Sequence, residues 1–145
     1  VFFLNQAKNG DLFYTNILNT NMYYAANQNG QYPEVKKVEL ESAGHHGFIS
    51  PSQDYLVLQT YSNKEKKDAD LSVYFKQKDG TWSKPVSLGD SVNSDFNERC
   101  PSITPDGKYL FFSRSNDENN LSNFYWVSTE IIHQLKAAYF EHNNS

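Results

Sequence analysis

A single cysteine, Cys100, leaves no route to an internal disulfide framework or a multi-cysteine zinc site. No apolar run approaches the roughly 18 residues of a membrane span. Positive charge is in the minority, with 13 Lys and Arg against 17 Asp and Glu and a net charge of −4. No basic stripe is visible along the chain, so nucleic-acid binding through the phosphate backbone is not expected. Nucleophile elbow, phosphate loop, His-Glu-x-x-His and dinucleotide fingerprint are all missing. The sequence therefore assigns no catalytic residue, no metal and no cofactor.

What the chain does have is aromatic bulk. Ten Tyr, ten Phe and two Trp in 145 residues supply enough large apolar surface for a packed core, and the length suits one domain. Most of the sequence is short β-type runs bounded by turn residues, among them Tyr55 to Thr60, Leu71 to Gln77 and Tyr109 to Arg114. Asn29-Gly30 and Asp79-Gly80 stand between such runs and suit tight hairpins, where glycine takes positive φ without steric cost. Strands are also expected over Glu34 to Leu40 and Lys84 to Leu88. The tail differs: Ser128-Thr129 can cap a helix from Glu130 to about Phe140, with Ile131, Ile132, Leu135, Ala138 and Tyr139 on its apolar stripe.

The chain repeats itself. Ile49-Ser50-Pro51-Ser52-Gln53-Asp54-Tyr55-Leu56 lies over Ile103-Thr104-Pro105-Asp106-Gly107-Lys108-Tyr109-Leu110, 54 residues on, and Asn9-Gly10-Asp11-Leu12 is a weaker copy. Met22-Tyr23-Tyr24-Ala25, Ser72-Val73-Tyr74-Phe75 and Asn123-Phe124-Tyr125-Trp126 recur at a spacing of 50 and 51 residues. Each repeat reads as four strands, the first two joined by a Pro-containing turn and the last two by a tight hairpin. A four-stranded unit of ~50 residues has the size of a propeller blade. The runs Tyr55 to Leu58 and Tyr109 to Phe112 are apolar at every position, as expected where a neighbouring sheet covers each face. An insertion, Ser62 to Asp70, separates the middle strands of the second repeat.

Thr104-Pro105-Asp106-Gly107-Lys108-Tyr109-Leu110-Phe111-Phe112-Ser113-Arg114 resembles the Ser/Thr-Pro-Asp-Gly-Lys motif of the WD-repeat-like β-propellers of the TolB type. Ser50-Pro51-Ser52-Gln53-Asp54-Tyr55-Leu56 is similar, with Gln53 and Asp54 in place of Gly and Lys, and the first repeat lacks the Ser/Thr-Pro. The resemblance covers nearly the whole chain. It implies an all-β fold, a β-propeller fragment of about three antiparallel blades over residues 1–43, 44–96 and 97–128. The last blade lacks its outer strand, and a short helix follows at about 129–141. It also implies a periplasmic or secreted setting and a non-enzymatic ligand- or protein-binding scaffold. A carbohydrate-active enzyme with carboxylates at the central channel and an accessory propeller of a serine peptidase are the alternatives.

Complete rings need roughly four to eight blades. Three sheets leave an uncovered face at each end, which calls for self-association, for further blades in the same polypeptide, or for an open wedge of three sheets. The start at Val1-Phe2-Phe3 suits a cut product, and the expectation is the C-terminal half of a longer propeller.

Innermost strands line the channel of a propeller, which makes His45, His46, Glu98 and Arg99 the candidate ligand-binding residues at its mouth, for a protein or small molecule. Arg99 aligns with His45 in the repeat. Its planar fork and a Glu98 acceptor suit carboxylate or carbohydrate recognition, while Glu98 reads equally as a link between blades. Adjacent strand residues point to opposite faces, so His45 and His46 are not expected to share a metal ion. Cys100 reads as a buried small hydrophobe. The acidic stretches Asp68 to Asp70 and Asp117 to Asn120 read as solvated loops without calcium-site spacing.

Overall fold

The computed structural model describes residues 2–42, 44–61, 69–116, 118–119 and 121–143. Among them, eleven strands form three antiparallel sheets, each ordered as in the sequence. The first sheet holds β1 (Phe2–Gln6), β2 (Leu12–Thr15), β3 (Met22–Ala25) and β4 (Lys36–Lys37). The second holds β5 (His45–Ile49), β6 (Tyr55–Tyr61), β7 (Ala69–Phe75) and β8 (Val86–Ser87). The third holds β9 (Asn97–Ile103), β10 (Tyr109–Asn116) and β11 (Leu121–Ser128), after which the chain enters α1 (Glu130–Asn143). A three-stranded last sheet followed by a helix is the blade-like arrangement that the repeats imply. The fourth strands are two residues long, shorter than the runs expected at Glu34 to Leu40 and Lys84 to Leu88. Pro85 stands in the second of these runs without an N–H to give, and pairing begins only beyond it. Most of the inserted segment after Tyr61, including Asp68, lies outside the described residues, as do Asp117 and Asn120.

The repeated turn motif has a local cause. In the third sheet Thr104 Oγ1 donates to Asp106 Oδ1 at 2.6 Å, the same carboxylate takes the Lys108 N–H at 3.0 Å, and Gly107 sits at φ 75°. In the second sheet Ser50 Oγ donates to Asp54 Oδ1 at 2.9 Å, and Gln53 occupies the glycine position at φ 62°. A non-glycine residue pays about 1 kcal/mol or more in that region. Gln53 offsets the strain by reaching the first sheet, where its Nε2 donates to Asn9 Oδ1 and to Asp11 Oδ2, both at 2.8 Å.

The sheets stack face to face. Ile49, Leu56, Leu58 and Tyr74 of the second sheet pack on Phe13 and Met22 of the first. Tyr55, Val57, Leu71, Val73 and Phe75, on the opposite face, pack on Ile103, Leu110 and Phe112 of the third sheet and on Ile132 of the helix. Strand β6 is therefore buried at five successive positions, as its unbroken apolar run requires. Strand β10 has the same kind of sequence yet alternates, with Tyr109 and Phe111 exposed and Leu110 and Phe112 buried. One face of the third sheet has no neighbour among the described residues.

Helix α1 closes the lower edge of the second core. Ser128 Oγ accepts the Glu130 N–H at 3.2 Å, whereas Thr129 turns its hydroxyl to Gly107 O at 2.6 Å. Ile131, Ile132, Leu135, Tyr139 and Phe140 face the sheets, and Ala138, expected on that stripe, is exposed. Lys136 anchors the helix to the second sheet through Asp54 Oδ2 at 3.0 Å.

Candidate functional site

The strands β1, β5 and β9 lead their sheets, and β5 lies against both of the others. Each is bulged at the same place in the repeat. Two residues oppose one between Phe2 and Asn5, between His45 and Phe48, and between Arg99 and Ser102. Within each bulge a non-glycine residue takes positive φ: Phe3 at 54°, His46 at 50° and Cys100 at 54°. Bulges bend a strand and re-aim its side chains, and strained residues of this kind collect at functional surfaces. Nothing in the sequence announces the bulge, since Phe, His and Cys share no preference for it.

The bulge overturns the simple alternation expected for the histidine pair. The His45 and His46 rings lie 6.3 Å apart, with the edge of Tyr61 at 6.1 Å from His45 and Phe3 at 4.9 Å from His46. His46 Nδ1 is 2.7 Å from Gln59 Oε1. Burial, and then the neighbouring His46, hold the His45 pKa below 6.5. A histidine whose folded pKa lies below its unfolded value leaves the unfolded chain to bind the proton first. Stability is thus retained above about 6.5 and falls as the pH drops below it. His45→Gln should flatten that fall between about pH 7.5 and 5.5 while leaving the melting temperature at about pH 8 nearly unchanged, as thermal melts across the range will read.

Arg99 and Cys100 stand on the neighbouring β9. The Arg99 carbonyl accepts the Ser113 hydroxyl at 3.2 Å. Cys100 is exposed, not buried as its sequence surroundings suggested, because the bulge turns it outward. Desolvation at the sulfur still raises the thiol pKa above its ordinary value against the pull of Arg99, so the group stays protonated at neutral pH. Glu98 goes the other way. It is 0% exposed, its Oε1 accepts the Ser94 N–H, and Arg114 Nε lies 3.4 Å from the same oxygen. Arg114 in turn donates to Val92 O at 2.8 Å and stacks 4.5 Å over the Tyr125 ring. Burial raises the Glu98 pKa, with the Ser94 contacts and Arg114 opposing it. His45, His46 and Arg99 thus stand on adjacent leading strands, while Glu98 ties β9 to the segment before it.

A second surface was not singled out from sequence. On the uncovered face of the third sheet stand Tyr109, Phe111, Phe124 and Trp126, with Phe124 88% and Trp126 62% exposed. Trp126 pairs with Phe111 across the strands and meets the Tyr109 ring edge-on at 5.4 Å. Strand pairing, rather than the sequence alignment of the repeats, gives these residues the places of Tyr55, Val57, Leu71 and Val73, all buried between the second and third sheets. At the other end, Leu12, Tyr14 and Tyr23 of the first sheet are half-buried, the two tyrosines stacked at 5.6 Å.

No protein-family model matches the chain, and no curated protein is similar to it. Among solved structures, the chain is similar to the tricorn protease, with 12% identity and a TM-score of 0.44 over 86% of this chain. The match takes in 12% of the tricorn protease chain.

Proposed function

We propose that this chain is a non-enzymatic, protein-binding part of a β-propeller whose exposed end face takes a further sheet of the same kind. One observation carries the reading: Tyr109, Phe111, Phe124 and Trp126 repeat, in register, a face that is covered twice elsewhere in the chain. Isolated apolar residues on a surface need no explanation, but a contiguous aromatic face marks an interaction site. Inside the molecule, the partner of such a face is the leading face of the next sheet. The first sheet presents a leading face of its own in Leu12, Tyr14 and Tyr23, so a second copy is the natural occupant. Two copies joined head to tail in both directions would hold six sheets, within the roughly four to eight of closed propellers. The turn motif supports a TolB-type relationship and, with it, an exported protein. His45, His46 and Arg99 then face the axis, where a protein or small-molecule ligand is recognised. The glycosidase or lyase alternative is weaker, because Glu98 is enclosed and engaged with Ser94 and Arg114.

Light scattering on the 145-residue chain tests this. The expected result is association that rises with concentration and is abolished by the pair Phe124→Ser and Trp126→Ser. A chain that stays monomeric at high concentration, or an assembly indifferent to both changes, overturns it.

A further inference from the structure

Besides an open face, the third sheet has an open edge. Strand β11 pairs with β10 on one side, and no strand among the described residues pairs with its other side. The direction of its peptide groups follows from β10. Tyr109 O accepts the Thr104 N–H at 3.0 Å, so Tyr109 turns its backbone toward β9 and Leu110 turns toward β11. Alternation along the pair sets Asn123, Tyr125 and Val127 toward β10. It leaves the N–H and C=O groups of Ser122, Phe124, Trp126 and Ser128 pointing outward. In the second sheet the matching positions are taken. Ala69 N–H donates to Asn97 Oδ1 and Leu71 N–H to Asn93 Oδ1, both at 2.7 Å, and Phe75 O accepts the Ser83 N–H at 2.8 Å. The chain that supplies those partners follows β7, whereas after β11 it turns into helix α1.

This edge also lacks the features that keep such edges apart. The outer strands of the other two sheets are two residues long, β4 made of Lys36 and Lys37 and β8 following Pro85. Short length, exposed lysine and proline all hinder pairing with another chain. Strand β11 runs for eight residues, Leu-Ser-Asn-Phe-Tyr-Trp-Val-Ser, with no charge, proline or glycine. It is also complementary to itself. In an antiparallel pair with a twofold axis at Tyr125, Ser122 meets the second copy's Ser128 and Phe124 meets the second copy's Trp126, each twice. Among twofold registers this one engages all four outward residues of both copies, giving about eight main-chain hydrogen bonds. It opposes no like charges, and it places aromatic side chains directly across the strands. We infer that two copies of the chain join edge to edge through β11, forming one continuous sheet with the exposed aromatics of both copies on the same face. The inference does not rest on the end-face reading, because an edge contact leaves both faces of the sheet free to stack.

Serine at both aromatic positions would remove the cross-strand pairs of the edge together with the stacking face, so the test uses charge. Phe124→Lys with Trp126→Glu destroys the apolar face but sets opposite charges across the twofold axis, twice. Phe124→Lys with Trp126→Lys sets like charges there instead. Sedimentation equilibrium should find the first variant dimeric and the second weaker in dimerisation by about tenfold or more. In the first variant, amide exchange at positions 122, 124, 126 and 128 should slow on association. Both substituted positions are exposed, so thermal melts at low concentration that match the wild type show that each variant is folded. Equal dimerisation of the two variants, or a dimer in which those four amides exchange as in the monomer, overturns the inference. A first variant that stays monomeric where the wild type associates also overturns it, and leaves the end-face reading standing.

Discussion

Phe75→Ala should destabilise the fold by about 3–5 kcal/mol, lowering the melting temperature by roughly 10–16 °C in a chain of this size. Phe75 is wholly buried in the second core, with Tyr139 and Phe140 of the helix 5.8 and 6.2 Å from its ring. Its removal leaves a cavity bounded by two sheets and a helix, none of which can collapse into it without disturbing the others. Phe124→Ala is the matched comparison. Phe124 occupies the register of the buried Leu71, yet it projects from the open face, and its loss should shift monomer stability by no more than about 0.5 kcal/mol. Denaturant titrations of the two variants at low protein concentration read the contrast. Similar losses at both positions would mean that the third sheet is covered on both sides.

Glu98→Ala should cost about 3 kcal/mol at neutral pH. It strips the Ser94 N–H of its acceptor and Arg114 of its buried counter-charge. Glu98→Gln should cost less, since a side-chain carbonyl can still take the Ser94 N–H. The pH dependence separates the two contributions. Burial raises the Glu98 pKa above 4.5, so the folded chain holds this proton more tightly than the unfolded chain. The associated stability is full below about 4.5 and is lost as the pH rises through the folded pKa. Glu98→Gln should remove that decline, and urea titrations at several pH values on wild type and variant will show it. A variant that keeps the decline would assign it to another carboxylate.

Both variants rest on features the sequence displays unevenly. The repeats, the Pro-containing turns and the aromatic runs made the stacked sheets legible, because turn chemistry and periodicity are local properties. The helix start was legible for the same reason, although Ser128 provides the cap and Thr129 bonds Gly107. The bulges at Phe3, His46 and Cys100 were not legible, since they arise from strand pairing across the sheet and impose no common residue type. That is why Cys100 read as buried and the two histidines as turned apart. The open aromatic face was half-visible. Tyr109 to Phe112 reads like Tyr55 to Leu58, and only the number of sheets reveals that one of the two runs lacks a cover.

The decisive measurement is iodide quenching of Trp126 in a Trp82→Phe chain, followed as protein concentration is raised. Stacking of the end face on another sheet predicts a blue-shifted emission and loss of quenching as the chain associates. Trp126 that stays fully quenchable in the associated form would show that the aromatic face is not where the sheets meet.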